Sequence, residues 1–149
     1  MTRRMTPAFR AIAPFACALS LAACRTPYQP MGFTGGFTEA RLDARTMQVM
    51  VRGNGFTRRG RVDLYVIYRC AELTVMNGFD YFFILGGDAQ ARSHYTPGHF
   101  SNGVYSGGTT YTKHESTKIF WMLTAAEAPR YPGAYQAREM MAALYPQIQ

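Results

Sequence analysis

Between residues 58 and 76, apolar side chains recur at three- and four-residue intervals: Val62, Tyr65, Val66, Cys70 and Leu73, with Arg69 at the border. That spacing predicts an amphipathic helix from about Arg58 to Met76 that lays one stripe on another element. Arg61, Tyr68 and Glu72 fall on or near the opposite side and are expected to face water. Thr57 is placed to cap the start, and Asn77-Gly78 supplies a stop suited to a left-handed backbone. A helix with a single apolar stripe needs a surface to cover, and the flanking sequence offers strands.

Phe37 to Leu42 and Thr46 to Arg52 flank the turn-like Asp43-Ala44-Arg45, which predicts an antiparallel hairpin. In its second strand Met47, Val49 and Val51 alternate with Gln48, Met50 and Arg52, so one face is buried and the other mostly wet. Tyr81 to Leu85 is an unbroken apolar run, expected as a central, covered strand closed by Gly86-Gly87. Thr117 to Thr124 reads as a last strand with apolar residues on both sides. Pro132 suits the first turn of a closing helix, whose apolar face is Tyr135, Met140, Met141 and Leu144 and whose end is Pro146. Residues 86–116 are rich in Gly, Ser, Thr and Tyr and are expected as a long loop, functional, mobile or concealing strands, with a short hairpin around Val104 to Tyr111. The order implies an α+β domain: a small, largely antiparallel sheet of about four strands, with one long amphipathic helix and a C-terminal helix packed on it.

The N-terminus is of another kind. Arg3, Arg4 and Arg10 precede an apolar stretch from Ala11 to Ala23, which is the pattern of a secretory signal. The stretch is shorter than the roughly 20 residues that cross a bilayer core. It ends in Leu21-Ala22-Ala23-Cys24, which resembles the lipobox of bacterial lipoproteins, where Cys24 is acylated and the chain is cut before it. Cleavage by an ordinary signal peptidase using the small residues Ser20 and Ala22, and an uncleaved membrane anchor, are the competing readings. Cys17 lacks the Leu-small-small approach. Each buried CH2 contributes about 0.8 kcal/mol, so two or three acyl chains would hold the protein essentially permanently. The expected organisation is a signal peptide over 1–23, a lipid-anchored extended tether over 24–36 and a single α+β domain over 37–149. A tether with Pro27 and Pro30 would span at most about 40 Å. Enterobacterial lipoproteins retained at the inner membrane carry Asp directly after the lipidated Cys. Arg25 stands there instead, which implies the outer membrane, facing the periplasm.

Loss of Arg3, Arg4 and Arg10 with the leader lowers the formal charge from +7 to +4. A basic chain normally raises nucleic acid as a partner, but an exported one meets little of it. The partners expected are the membrane, through acyl chains on Cys24, and an envelope protein or an anionic glycan or lipid. Of the three cysteines, Cys17 leaves with the signal and Cys24 carries lipid. Cys70 alone stays free, as a small buried hydrophobe and not a reactive thiol.

Several motifs together resemble a family of small Gram-negative lipoproteins of uncharacterised activity. They are Tyr28-Gln-Pro, Gly32-Phe-Thr-Gly-Gly-Phe37, Arg41-Leu42-Asp43, Arg52-Gly-Asn-Gly-Phe-Thr57, Tyr68-Arg-Cys-Ala-Glu-Leu-Thr74, Asn77-Gly-Phe-Asp-Tyr81 and Ala134-Tyr-Gln-Ala-Arg-Glu139. The resemblance covers most of the mature chain, least clearly residues 88–115. It implies a lipoprotein with one α+β domain and brings no catalytic residues or cofactor. Similar sequences often carry Glu where this one has Gly60. Glu there would complete a Thr-x-x-Glu capping box, so the helix start should be weaker here.

Two groupings of side chains merit weighing as sites. His94, His99 and His114, with Asp88 and Glu115 nearby, could form a His-and-carboxylate metal site, though their spacing matches no helical or finger pattern. Solvated loop histidines are the plainer reading. Arg52, Arg58, Arg59 and Arg61 surround the start of the main helix, where free N–H groups favour anions. A lipid phosphate or wall-polymer carboxylate would suit them, as would a merely solvated basic face. Gly103-Val-Tyr-Ser-Gly107 places its serine one residue late for a nucleophile elbow. Tyr95, Tyr105 and Tyr111 read as packing residues before a carbohydrate or peptide surface. The first expectation is therefore a non-catalytic, lipid-anchored envelope protein with a structural, assembly or partner-binding role. A binding module for an anionic envelope ligand is the alternative, and a metal-dependent enzyme using the histidines the third.

Overall fold

The computed structural model describes residues 25–102 and 104–149. The expected signal segment, with Cys17, and the expected lipidation site Cys24 lie outside the described residues. The chain forms β1 (Gly36–Arg41), β2 (Thr46–Arg52), α1 (Arg59–Met76), β3 (Tyr81–Gly86), β4 (Ala89–Thr96), β5 (His99–Ser101), β6 (Val104–Ser106), β7 (Thr109–Leu123), a 3-10 turn (Ala128–Arg130), β8 (Tyr135–Gln136) and α2 (Ala137–Ile148). The class is α+β. The main sheet has six strands instead of about four, in the order β1-β2-β7-β3-β8 with β4 also on β7, and its ladders are antiparallel. β5 and β6 pair separately.

The hairpin forms as the alternation predicts. Asp43 accepts the backbone N–H groups of Arg45 and Thr46 at 2.8 Å each, which closes the turn and holds its carboxyl below the usual range. Met47, Val49 and Val51 are buried beneath α1 with Phe120, Met122 and Phe82. The opposite face of β7 is covered in part by Tyr131, which meets Trp121 edge-on at 5.1 Å and Phe83 at 5.9 Å. Apolar residues on both sides of that strand therefore both find partners.

β7, not β3, is the central strand, because it is long enough to pair β2 over 115–121 and β3 over 119–123. β3 sits one place from the edge, and of its residues only Phe82 is fully buried. The segment expected as a loop supplies β4, which continues along the same strand as far as Thr109. Thr and Tyr favour extended backbone, and Gly87 permits the kink between β3 and β4. Its φ is +155°, and a Cβ there would stand 2.0 Å from the Thr117 carbonyl oxygen. Beyond Glu115 the β4 and β7 strands are paired with each other and not with β2, so they leave the sheet as a two-stranded ribbon.

α1 buries Val62, Tyr65, Val66, Cys70 and Leu73 as expected, and burial pushes the Cys70 thiol up. Tyr68 is a correction: it is buried too, because the chain before β1 closes over that side. Thr57 does not cap the helix. The N-cap is Arg58, without a side-chain hydrogen bond and without acidic residues in the first turn. The closing helix starts at Ala137 and not at Pro132, where Gln136 accepts the Glu139 N–H at 2.6 Å. Pro146 lies within its last turn, and the helix packs mainly on α1.

Phe82→Ala should destabilise the domain by about 3–5 kcal/mol, since it removes a ring packed on Phe120 and Tyr135. Leu85→Ala, at an exposed position, should stay within about 0.5 kcal/mol in the same urea titration. A pH dependence follows from Glu127, which accepts the Thr124 N–H, the Thr124 hydroxyl and Arg45 Nη1, and so has its carboxyl held down to about 2. Its stabilisation is complete above the ordinary glutamate value of about 4.3 and fades as pH falls toward the depressed value. Glu127→Gln should flatten the acid fall of Tm below about pH 4.3 relative to wild type.

Candidate functional site

The first stretch of described chain is densely hydrogen-bonded to the rest of the domain. Thr26 is 1% exposed. Its N–H donates to Thr57 Oγ1 at 2.9 Å, and its hydroxyl donates to the Thr34 carbonyl at 2.7 Å while accepting the Asn54 N–H at 2.8 Å. Its own carbonyl accepts the Tyr65 hydroxyl at 3.2 Å, and Arg61 donates in turn to that hydroxyl at 3.0 Å. Thr57 is thus spent on holding residue 26, which explains why it leaves the helix start uncapped.

Two residues on, the Tyr28 ring packs on Phe37, Tyr65 and Tyr68 with centroids 5.0–5.4 Å apart. Its hydroxyl donates to Glu72, and burial together with that carboxylate pushes its pKa up, so it stays protonated. Arg69 closes the cluster. Its guanidinium lies 4.3 Å over Phe37, makes a two-point contact with Glu39 at 2.8 and 3.2 Å, and reaches Glu72 at 2.9 Å. Paired carboxylates raise the Arg69 pKa against burial that would lower it.

The glycines of Gly32-Phe-Thr-Gly-Gly-Phe37 make this return possible. Phe37 donates its N–H to the Gln29 carbonyl and Met31 donates to the Phe37 carbonyl. A Cβ on Gly36 would stand 2.4 Å from the Gln29 carbonyl oxygen, and one on Gly35 2.3 Å from that of Arg52. The expectation of an extended tether over 24–36 is therefore corrected from Thr26 onward: the segment is folded onto the domain. Its prolines suggest extension, but Thr26 and Tyr28 find partners far along the chain.

The four arginines expected at the helix start do not act as one group. Arg52 lies on the ribbon side and pairs with Glu115 at 2.9 Å. Arg59 leans toward Asp63 at 3.7 Å. Arg58 and Arg61 do share a hollow, with Arg25, Phe56 and Gly60. Arg25 was legible only as a sorting position, since nothing in the sequence signals that residues 25 and 61 are neighbours.

The histidines are not brought together either. His94 pairs in register with Tyr111, and His114 with Ala91. Alternation then puts them on opposite faces of the ribbon, while His99 lies in the separate β5–β6 hairpin. No group of three metal-ligating side chains occurs among the described residues. His94 stacks on Tyr111 at 5.3 Å with rings 12° apart. It lines a cleft of about 160 Å³ with Arg52, Arg92, Lys113 and Glu115. That is below the roughly 300 Å³ of ordinary small-molecule sites, though its charge is mostly positive. His114 Nδ1 and Ser116 Oγ, two residues apart at the ribbon root, are each buried without a hydrogen-bond partner among the described residues.

No family model, curated protein or solved structure matches this chain. Among the described residues, no helix is long and apolar enough to cross a membrane.

Thr57→Val strips the buried Thr26 N–H of its acceptor and should cost about 1–3 kcal/mol. Hydrogen–deuterium exchange should rise at residues 26–37 while the centre of β7 stays protected. Uniform loss of protection would show that the latch is part of the global fold and does not open alone.

Proposed function

We propose that this chain is a lipid-anchored cell-envelope protein, held by acyl chains on Cys24 at the outer membrane and facing the periplasm. Its role is structural, assembly or partner-binding rather than catalytic. The lipobox and the resemblance to small Gram-negative lipoproteins support the address.

The ribbon supports the role. All eight residues of β4 are exposed, yet the strand is paired in unbroken register over its whole length. An eight-residue strand that buries none of its side chains in its own domain presents them to something else. It carries Arg92 and His94 on one face and Tyr95 on the other, and the outward edge of β4 in a two-stranded ribbon offers backbone groups able to extend a partner's sheet. The long strand β7 serves as its root, so the ribbon is held by the same element that centres the core.

Intact-mass spectrometry of the protein from an exporting host tests the address. Wild type should carry two or three acyl chains on Cys24, and Cys24→Ala none; an unmodified wild-type Cys24 would return the chain to a soluble form. In-cell photo-crosslinking tests the role. A photoreactive residue at Ser93 or Tyr95 should capture one reproducible protein, and the same residue at Leu42 should not. Capture of glycan or lipid alone from the ribbon would favour the anionic-ligand reading.

A further inference from the structure

Exposed aromatic and cationic side chains around Thr26 form one continuous face. Phe33 is fully exposed and Phe56 is 71% exposed. The two border the same groove, together with Tyr111. Phe56 also borders the adjoining hollow with Arg25, Arg58 and Arg61. Among the described residues, none of these three arginines has a carboxylate within ion-pair distance, unlike Arg45, Arg52, Arg59 and Arg69. Apolar rings beside unpaired cations are an unfavourable surface in water and a favourable one at a lipid headgroup layer.

Covalent geometry says what lies against it. Thr26 is fixed through its N–H, its hydroxyl and its carbonyl, and Cys24 is two residues earlier, at most about 7.6 Å away along the Cα path. A bilayer holding acyl chains on Cys24 is therefore within a side-chain length of Arg25 and its neighbours. Nothing in the intervening chain is long enough to lift the domain away.

We propose that the face of Arg25, Phe33, Phe56, Arg58 and Arg61 seats on an anionic bilayer, with its phenylalanines at the headgroup–acyl boundary and its arginines on lipid phosphates. The inference rests on the lipoprotein reading and adds an orientation to it. The acyl chains retain the protein, and this face sets which way the domain sits. Arg52 and Arg59 take no part, because Glu115 and Asp63 already answer their charge.

The test uses the full-length lipidated chain in vesicles of phosphatidylethanolamine and phosphatidylglycerol with brominated acyl chains. Trp121→Phe removes the only tryptophan, and Phe33→Trp, Phe56→Trp or Leu42→Trp installs a reporter. Leu42 follows β1 at the end away from Gly36 and is also exposed. Emission at positions 33 and 56 should shift to the blue and be quenched by bromine, while that at position 42 should not. Replacing Arg25, Arg58 and Arg61 by Gln should each lower the seated-to-free ratio about fivefold, the equivalent of about 1 kcal/mol. Should Trp121→Phe not fold, a nitroxide on Phe56→Cys, compared for oxygen and nickel-chelate access, makes the same distinction with Trp121 in place. Acylated protein with unquenched reporters at 33 and 56 overturns the membrane face and leaves the anchor standing. Protein without acyl mass overturns both.

Discussion

Helix α1 is covered by the sheet, by α2 and by the very beginning of the described chain. The sheet takes Val62, Val66, Cys70 and Leu73, while Tyr28 takes Tyr65 and Tyr68 and donates to Glu72. Arg69 ties that cover to β1 through Glu39 and shields Phe37 beneath its guanidinium. A half-buried arginine is stabilising only with its charge and hydrogen bonds answered, and Glu39 and Glu72 do so together. The chain entering β1 is thus a cover packed against the core, held to the helix by Tyr28 and Arg69, over a sheet that forms beneath it.

What was legible in the sequence was what depends on neighbours along the chain. The alternation of Met47, Val49 and Val51 and the stripe from Val62 to Leu73 are local periodicities, and both faces are buried where they point. Tyr68 was misread because its partner, Tyr28, stands forty residues earlier and no period connects them. Thr57 was misread for a related reason: a residue suited to capping its own helix has a stronger claim on it from Thr26. Strands within residues 86–116 stood only as one of three readings, because they are polar on both faces and period two carries no hydrophobic signal there, although the Thr and Tyr content was visible. Of the four arginines, Arg58 and Arg61 line one hollow while Arg52 and Arg59 turn to carboxylates. His94 and His114 are separated by the pleat, which a reading of the segment as loop could not apply.

The ribbon and the face around Thr26 share one frame. The ribbon grows from β7, and the face around Thr26 is built from the β2–α1 connection and the folded-back chain, with Tyr111 of the ribbon packed close on Gly55. A lipid on Cys24, as proposed, would attach beside the root of the ribbon and so set the ribbon's position relative to the membrane. A free tether would leave it to wander over tens of ångströms. That arrangement fits a protein whose task is to hold a surface in place for another component of the envelope.

The central claim is that no tether separates lipid from domain. Neutron reflectometry of the lipidated protein on a supported bilayer measures the distance between headgroups and protein density directly. The account predicts protein density in contact with the headgroup layer, with no hydrated gap. A water layer approaching the roughly 40 Å that residues 25–36 could span if extended would contradict it.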